Sequence, residues 1–106
     1  MAETDKIDAL IARAAAAVFK RAEAELGADQ VRVGKQKNGE YSDIFAFDPA
    51  RHAPSGAVLA QSVQQVQALV RLANETGCPL WPISRGKNYG YGGAAPVLRG
   101  SVVLDL

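Results

Sequence analysis

One stretch organises this chain, and it reads Ser84-Arg85-Gly86-Lys87-Asn88-Tyr89-Gly90-Tyr91-Gly92-Gly93. Its glycines free the backbone to take positive φ and to approach a ligand closely, because no Cβ stands in the way. Backbone N–H groups gathered in such a loop form a concavity that attracts anions, above all phosphate. Arg85 and Lys87 add cationic side chains, and Ser84 and Asn88 add short hydrogen-bond donors. The pattern predicts a loop for a phosphorylated cofactor, and a mobile surface turn is the structural alternative.

Two familiar phosphate-binding motifs do not fit this stretch. A Walker A loop needs a glycine where this chain has Trp81, and a Ser or Thr where it has Asn88. A dinucleotide fingerprint opens a helix directly after the first strand of a βαβ unit. Here the chain passes through Pro96 and Gly100 into the apolar run 101–106, which predicts a strand. We therefore expect a phosphate loop with no helix dipole behind it.

Flanking residues extend the loop into a longer pattern. Pro79-Leu80-Trp81-Pro82-Ile83 precedes it, and Ala94-Ala95-Pro96 follows, with Gly100-Ser101-Val102-Val103-Leu104-Asp105-Leu106 closing the pattern. The whole resembles the FAD pyrophosphate loop of the vanillyl-alcohol oxidase/p-cresol methylhydroxylase flavoproteins, especially those that act on para-substituted phenols. The resemblance covers roughly residues 54–106. It assigns FAD binding to Ile83, Ser84, Arg85, Gly86, Lys87, Asn88, Tyr89, Gly90, Tyr91, Gly92 and Gly93.

The resemblance implies both a fold and an activity. The fold is α+β, a PCMH-type FAD-binding subdomain with an N-terminal helix, a small, mainly parallel sheet with a βαβ unit, the pyrophosphate loop and the start of a second subdomain. The activity is flavin-dependent oxidation of a para-substituted phenol of the 4-cresol, vanillyl alcohol or eugenol type, by hydride transfer from the benzylic position. Oxygen or a cytochrome c subunit would then accept the electrons, and the full-length protein would form a homo-oligomer.

Length and composition limit what these residues can do alone. With 106 residues the chain allows one small domain, so we expect an N-terminal fragment of such an enzyme that lacks the substrate site and any assigned catalytic residue. A net charge of +1 and scattered basic residues argue against nucleic-acid binding. One cysteine and one histidine offer neither a disulfide nor a metal site. A small nucleotide- or phosphate-binding module without catalysis is the alternative function.

The ends of the chain and its apolar runs bear on its location. Residues 1–5 are acidic and lack the basic and apolar segments of a signal peptide, which predicts a cytoplasmic location. The family resemblance leaves a periplasmic one open. No apolar run approaches the roughly 20 residues that a membrane-spanning helix needs, so we expect no membrane partner.

The first part of the chain predicts a helix and an irregular connector, residues 1–53, ahead of the FAD-binding part, residues 54–106. Thr4 or Asp5 is the predicted cap and Gly27 the predicted stop. The predicted apolar stripe consists of Ile7, Leu10, Ile11, Ala14, Val18, Ala22 and Leu26. Core packing is the favoured role of this stripe, and a helical interaction domain that recruits a partner is the alternative. A short alternation of apolar and polar residues predicts a strand at 30–33.

In the connector, aromatic and apolar side chains are expected to pack against a core rather than contact a ligand. These residues are Tyr41, Ile44, Phe45 and Phe47. His52 lacks the Ser, Cys or carboxylate neighbours of a catalytic site, so a structural or exposed role is expected.

The second part predicts a βαβ unit. The apolar run 56–60 forms the first strand, Ser62 caps a helix over about 63–76 with Gln65 reaching back, and Gly77 ends it. The helix's inner face is predicted to comprise Val63, Val66, Leu69, Val70 and Ala73. The second strand, 80–83, should run parallel to the first. Pro82 cannot donate to a strand ladder, which places it at a sheet edge or a strand end. Cys78 is expected to be a buried, unreactive thiol.

Overall fold

The computed structural model describes residues 3–33, 41, 48–84 and 93–106. Among these residues, two helices and four strands follow one another: α1 (Glu3–Leu26), β1 (Val31–Val33), β2 (Gly56–Leu59), α2 (Val63–Thr76), β3 (Leu80–Ile83) and β4 (Val102–Asp105). Short 3₁₀ turns lie at Ala28–Gln30 and Pro49–His52.

The strands form one sheet in the order β1-β2-β4-β3. Strands β2 and β3 are both parallel to β4, whereas β1 is antiparallel to β2. The two strands of the predicted βαβ unit are therefore parallel, as expected, but β4 lies between them. Residues beyond the glycine loop thus complete this sheet, and the expectation that they start a second subdomain is wrong. Long-range pairing decides this placement, and no local sequence signal specifies it.

Helix α1 begins earlier than the sequence predicts. Thr4 and Asp5 lie inside its first turn, so the prediction that one of them caps it is wrong. Glu3 and Asp5 instead place negative charge near the positive end of the helix dipole, which is stabilising there. Gly27 follows the last helical residue with a φ of +108°, and the predicted stop is confirmed.

The buried stripe of α1 differs in part from the predicted one. Its buried residues are Ile11, Ala15, Val18, Phe19 and Ala22. Ile7 and Leu10 are exposed instead, and the first buried residue of this helix is Ile11. Core packing of the stripe is confirmed from Ile11 onward.

Helix α2 follows its capping signals closely. The Ser62 hydroxyl accepts a hydrogen bond from the Gln65 N–H at 3.1 Å, and Gln65 Oε1 reaches back to the backbone N–H of Gln61 at 2.8 Å. Gly77 ends the helix in the left-handed conformation. The inner face is only partly as predicted. Leu69, Leu72 and Ala73 are buried, whereas Val63 and Val70 are exposed, because the helix turns Leu72 toward the sheet.

The sheet has two apolar faces. Both helices cover one face, and the core there contains Ala15, Val18, Phe19, Ala22, Val58, Leu69, Leu72, Cys78, Val102 and Leu104. The second face carries a smaller cluster formed by Tyr41, Ala57, Ile83, Ala94 and Val103, with Trp81 packed against it. The glycine loop begins and ends on this second face.

The remaining local predictions have mixed outcomes. Among the described strands, β3 lies at the edge of the sheet, which agrees with the predicted placement of Pro82. The predicted strand at 30–33 is one residue shorter, because Gln30 belongs to the preceding 3₁₀ turn. The buried side-chain amide of Gln30 donates to the Leu59 carbonyl and to Gln65 Oε1, each at 2.8 Å.

Among the described residues, no helix has the length and apolar character to cross a membrane.

Candidate functional site

The glycine loop leaves the sheet at the carboxyl end of β3. Ile83 is buried there, and its carbonyl accepts a hydrogen bond from the Leu106 N–H at 2.9 Å. Ser84 follows and is exposed. Ligands of parallel α/β sheets commonly bind beyond the carboxyl ends of the strands. The loop therefore starts at the edge of the sheet where a ligand is expected.

The loop returns to the sheet at Gly93. This residue has a φ of +80°, which L residues with a Cβ rarely adopt, so the turn here requires glycine. The Trp81 indole N–H donates to the Gly93 carbonyl at 3.2 Å. The next residues, Ala94, Ala95 and Pro96, are buried. The end of the loop is therefore attached to β3, the strand from which the loop departs.

Residues of the connector hold the segment that follows the loop. His52 Nδ1 lies 3.0 Å from the Pro96 carbonyl oxygen, a geometry in which the protonated Nδ1 donates the hydrogen bond. The Ser55 hydroxyl donates to the Gly100 carbonyl at 2.7 Å, and the Gly100 N–H donates to the Ala53 carbonyl at 2.9 Å. His52 thus has a structural contact, in line with the sequence interpretation.

A second contact joins the connector to β4. The Tyr41 hydroxyl donates to Asp105 Oδ2 at 2.8 Å, and the Tyr41 ring is buried in the cluster on the second face. The expected packing of connector aromatics is confirmed for Tyr41. Ile44, Phe45 and Phe47 lie outside the described residues.

Only the two ends of the predicted FAD-binding segment can be placed. Ile83 and Ser84 lie at its start, and Gly93 lies at its end. The predicted residues outside the described part of the chain are Arg85, Gly86, Lys87, Asn88, Tyr89, Gly90, Tyr91 and Gly92. Their assignment to the cofactor stays a prediction.

The single cysteine of the chain is buried. Cys78 lies in the core on the helix-covered face, and burial raises the pKa of its thiol above the ordinary value. A backbone hydrogen bond from Val102 acts in the opposite direction and is outweighed. No group of His, Cys, Asp and Glu among the residues described could hold a metal ion.

Residues 54–106 match the family described as FAD binding domain. The match spans half of the 106-residue chain, and the chain belongs to this family of FAD-binding domains. FAD is accordingly the cofactor of the domain.

Two curated relatives extend the comparison. The chain is 50% identical over 82 residues to the 4-cresol dehydrogenase (hydroxylating) flavoprotein subunit of Pseudomonas putida, covering 76% of this chain and 16% of that protein. It is 51% identical over 45 residues to the 1'-carboxy-chondrochloren decarboxylase of Chondromyces crocatus, covering 42% of this chain and 8% of that protein.

Solved structures show the same relationship. p-Cresol methylhydroxylase with bound substrate superposes with a TM-score of 0.73 at 45% identity, covering 89% of this chain and 18% of that chain. The 4-ethylphenol oxidase of Gulosibacter chungangensis in its isoeugenol complex gives 0.74 at 36% identity, covering 92% and 18%. The expected α+β, PCMH-type fold is confirmed. The chain spans less than a fifth of the length of each of these proteins.

The sequence interpretation missed the contacts that frame the loop. Trp81 and Ile83 are two residues apart on β3, so they lie on the same face of the sheet. Their shared orientation could have been inferred from the two-residue period of a strand. The Tyr41 to Asp105 contact joins residues 64 positions apart, and no local pattern indicates it.

Proposed function

We propose that this chain is the N-terminal, FAD-binding portion of a longer flavin-dependent oxidoreductase that oxidises para-substituted phenols. The observation that carries the proposal is the 50% identity to the 4-cresol dehydrogenase flavoprotein subunit, over most of this chain. The likeness to a 4-ethylphenol oxidase supports the same substrate class. Bound flavin would supply a hydride acceptor for the benzylic carbon of the phenol.

Within this chain, the segment from Ile83 to Gly93 would hold the FAD pyrophosphate. The described ends of the segment support the assignment, because it starts at the carboxyl end of a parallel strand and ends at a glycine with positive φ. The four glycines from Gly86 to Gly93 stand beside only two cations, Arg85 and Lys87. Backbone N–H groups would therefore contribute more to pyrophosphate binding than charged side chains.

A matched pair of substitutions tests this division of roles in the intact protein. Gly92→Val should impair flavin retention more than Arg85→Ala, because a branched side chain obstructs close approach of the backbone to the ligand. The flavin-to-protein absorbance ratio after desalting measures retention. Equal flavin content in the wild type and Gly92→Val would contradict a backbone cradle.

Two electron acceptors fit the resemblance. The name of the first relative, a flavoprotein subunit, favours an assembly with a further subunit, and a cytochrome c subunit would be the electron acceptor in it. The name of the 4-ethylphenol oxidase favours oxygen. The intact protein would be a homo-oligomer located in the cytoplasm.

Anaerobic stopped-flow reduction tests the substrate class. The intact protein is mixed with 4-cresol, vanillyl alcohol or eugenol, and bleaching of the flavin absorbance is followed. 4-Methylanisole is the matched control, because its methyl ether prevents formation of the phenolate. Bleaching by a phenol but not by the ether is expected. No bleaching with any para-substituted phenol would refute the proposed activity.

A further inference from the structure

Asp105 places a charged side chain at the end of strand β4. This strand lies between β2 and β3, and Asp105 is the register partner of Leu59 and Ile83, the last residues of those two strands. The Asp105 carbonyl accepts a hydrogen bond from the Ala60 N–H at 3.1 Å, so the strand ends lie side by side. Asp105 therefore stands on the carboxyl edge of the parallel strands, where ligands of α/β sheets commonly bind.

The carboxylate of Asp105 lies on the second face of the sheet. Asp105 comes two residues after Val103, which belongs to the cluster on that face, so the two side chains share it. Tyr41 belongs to the same cluster and is 2% exposed, and its hydroxyl donates to Asp105 Oδ2 at 2.8 Å. Asp105 itself is half-buried. A buried tyrosine thus fixes the orientation of a carboxylate that a ligand can still reach.

The contact with Tyr41 uses only part of the acceptor capacity of this carboxylate. An ionised carboxylate accepts at two oxygens with about four lone-pair sites, and it donates nothing. A ligand group that binds to it must therefore supply an O–H or N–H donor, whereas a phosphate oxygen is repelled. FAD carries hydroxyl groups of this kind on either side of its two phosphates, on the ribityl chain and on the ribose.

We propose that Asp105 is a cofactor-binding residue, and that its carboxylate accepts a hydrogen bond from a ribityl or ribose hydroxyl of FAD. This inference rests on the function proposed above. That function assigns the pyrophosphate to a segment that starts at Ile83, the register partner of Asp105. The hydroxyl groups next to the phosphates are therefore the FAD donors that come to the same edge. Tyr41 is a positioning residue, because its hydroxyl orients the carboxylate.

The main test exchanges the carboxylate for its amide. Asp105→Asn keeps an oxygen that accepts from the Tyr41 hydroxyl, but the other oxygen becomes an NH2 donor. Titration of the intact apoprotein with FAD, followed by flavin fluorescence, should give a Kd raised about ten- to hundredfold, the range for one hydrogen bond to a charged group. If Asp105 lay near the phosphates without binding a hydroxyl, removal of its charge would lower the Kd instead.

Tyr41→Phe is the matched control, because it removes the hydrogen bond to Asp105 and keeps the carboxylate. Its urea unfolding midpoint should fall, whereas its Kd for FAD should rise by no more than about threefold. Asp105→Asn should show the reverse, with a midpoint close to that of the wild type and a much weaker affinity. A Kd that follows the urea midpoint across the two variants would show a purely structural contact and overturn the proposal.

Two fragments of FAD identify the half that supplies the hydroxyl. FMN carries the ribityl chain without the ribose, and ADP carries the ribose without the ribityl chain. Competition against FAD measures the affinity of each fragment for the wild type and for Asp105→Asn. Weaker binding of FMN alone to the variant assigns the ribityl hydroxyls, and weaker binding of ADP alone assigns the ribose. Equal affinity of both fragments for the wild type and a folded variant overturns the proposal.

A further measurement needs no substitution in the protein, so it applies even if Asp105→Asn does not fold. An FAD analogue without ribityl and ribose hydroxyl groups should bind the wild type at least about tenfold more weakly than FAD, and equal affinity overturns the role of Asp105. A wild-type apoprotein that binds no FAD overturns the proposed function and this inference with it. A wild type that binds FAD, together with a folded Asp105→Asn variant of equal or higher affinity, overturns the role of Asp105 alone.

Discussion

Gly56 is the position in β2 where the fold least tolerates a side chain. Its φ is +153°, and a Cβ built on it would overlap the Arg32 carbonyl oxygen and lie 2.8 Å from Cζ of Phe19 and 2.9 Å from Cα of Val33. Two of these neighbours are backbone atoms of β1, the adjacent strand. They cannot move aside without breaking the pairing of β1 with β2. We therefore expect Gly56→Ala to be severely destabilising.

The size of the effect follows from its two causes. A strained backbone conformation costs about 1–3 kcal/mol, and overpacking a filled site costs about 1–3 kcal/mol more. Together they predict a loss of about 2–6 kcal/mol, a large part of the ~5–15 kcal/mol that stabilises an ordinary domain. With a urea m-value of about 2 kcal/mol/M, the unfolding midpoint should fall by roughly 2 M.

Gly77→Ala is the matched control, because it isolates the backbone conformation from the crowding. Gly77 also has a positive φ, +76°, but a Cβ there would meet nothing within 4 Å. Its loss should be about 1–2 kcal/mol, the cost of placing an L residue in the left-handed region. Urea unfolding followed by circular dichroism measures both variants. A Gly56→Ala chain that unfolds within about 1 kcal/mol of Gly77→Ala would refute the crowding argument.

Four further outcomes are expected. Ser62→Ala should lower the free energy of unfolding by about 1 kcal/mol through loss of the N-cap, whereas Ser62→Asn should retain most of it; equal losses in urea unfolding would contradict the capping role. Tyr41→Phe should cost about 1 kcal/mol by removing the hydrogen bond to Asp105, and an unchanged urea midpoint would show that this contact contributes nothing. Cys78 should react with iodoacetamide at pH 8 far more slowly in the folded protein than after unfolding. Because folding raises the pKa of this thiol, its contribution to stability is complete below the pKa of the unfolded state. That contribution is lost as the pH rises through the pKa of the folded state. Residues 1–106 alone should not bind FAD with sub-micromolar affinity in a fluorescence titration, because the loop encloses only part of the cofactor, and one-to-one binding at that affinity would show a self-sufficient module.

The sequence predicts the βαβ unit well because its signals are local. Ser62 and Gly77 mark the two ends of α2, and Pro79 prevents the helix from resuming. The order of the strands has no such signal. Val102 pairs with both Gly56 and Leu80, and these partners are brought together only by tertiary packing. The exposure of Val63 and Val70 likewise depends on how α2 turns toward the sheet, which an apolar spacing of three and four residues leaves undetermined.

The candidate site also has a part that local sequence signals predict and a part that depends on tertiary packing. Glycine density and the flanking residues identify the loop from 84 to 93, because the conformational freedom of glycine is a property of the residue itself. The contact at the end of the loop and the contact that joins the connector to β4 both link residues distant in the chain. Trp81 is 12 positions from Gly93, and Tyr41 is 64 positions from Asp105, so their pairing emerges only with the folded sheet.

The central place of β4 sets a condition on how the chain folds during synthesis. Among the four described strands of this sheet, β4 is made last, yet β2 and β3 each pair with it. On the ribosome, a nascent chain that has emerged only as far as the glycine loop leaves both of those strands with an unpaired edge. Such edges are templates for association with other chains. Completion of this sheet must therefore wait for residues 102–105 to emerge, and translational pausing within the glycine loop would prolong the aggregation-prone interval.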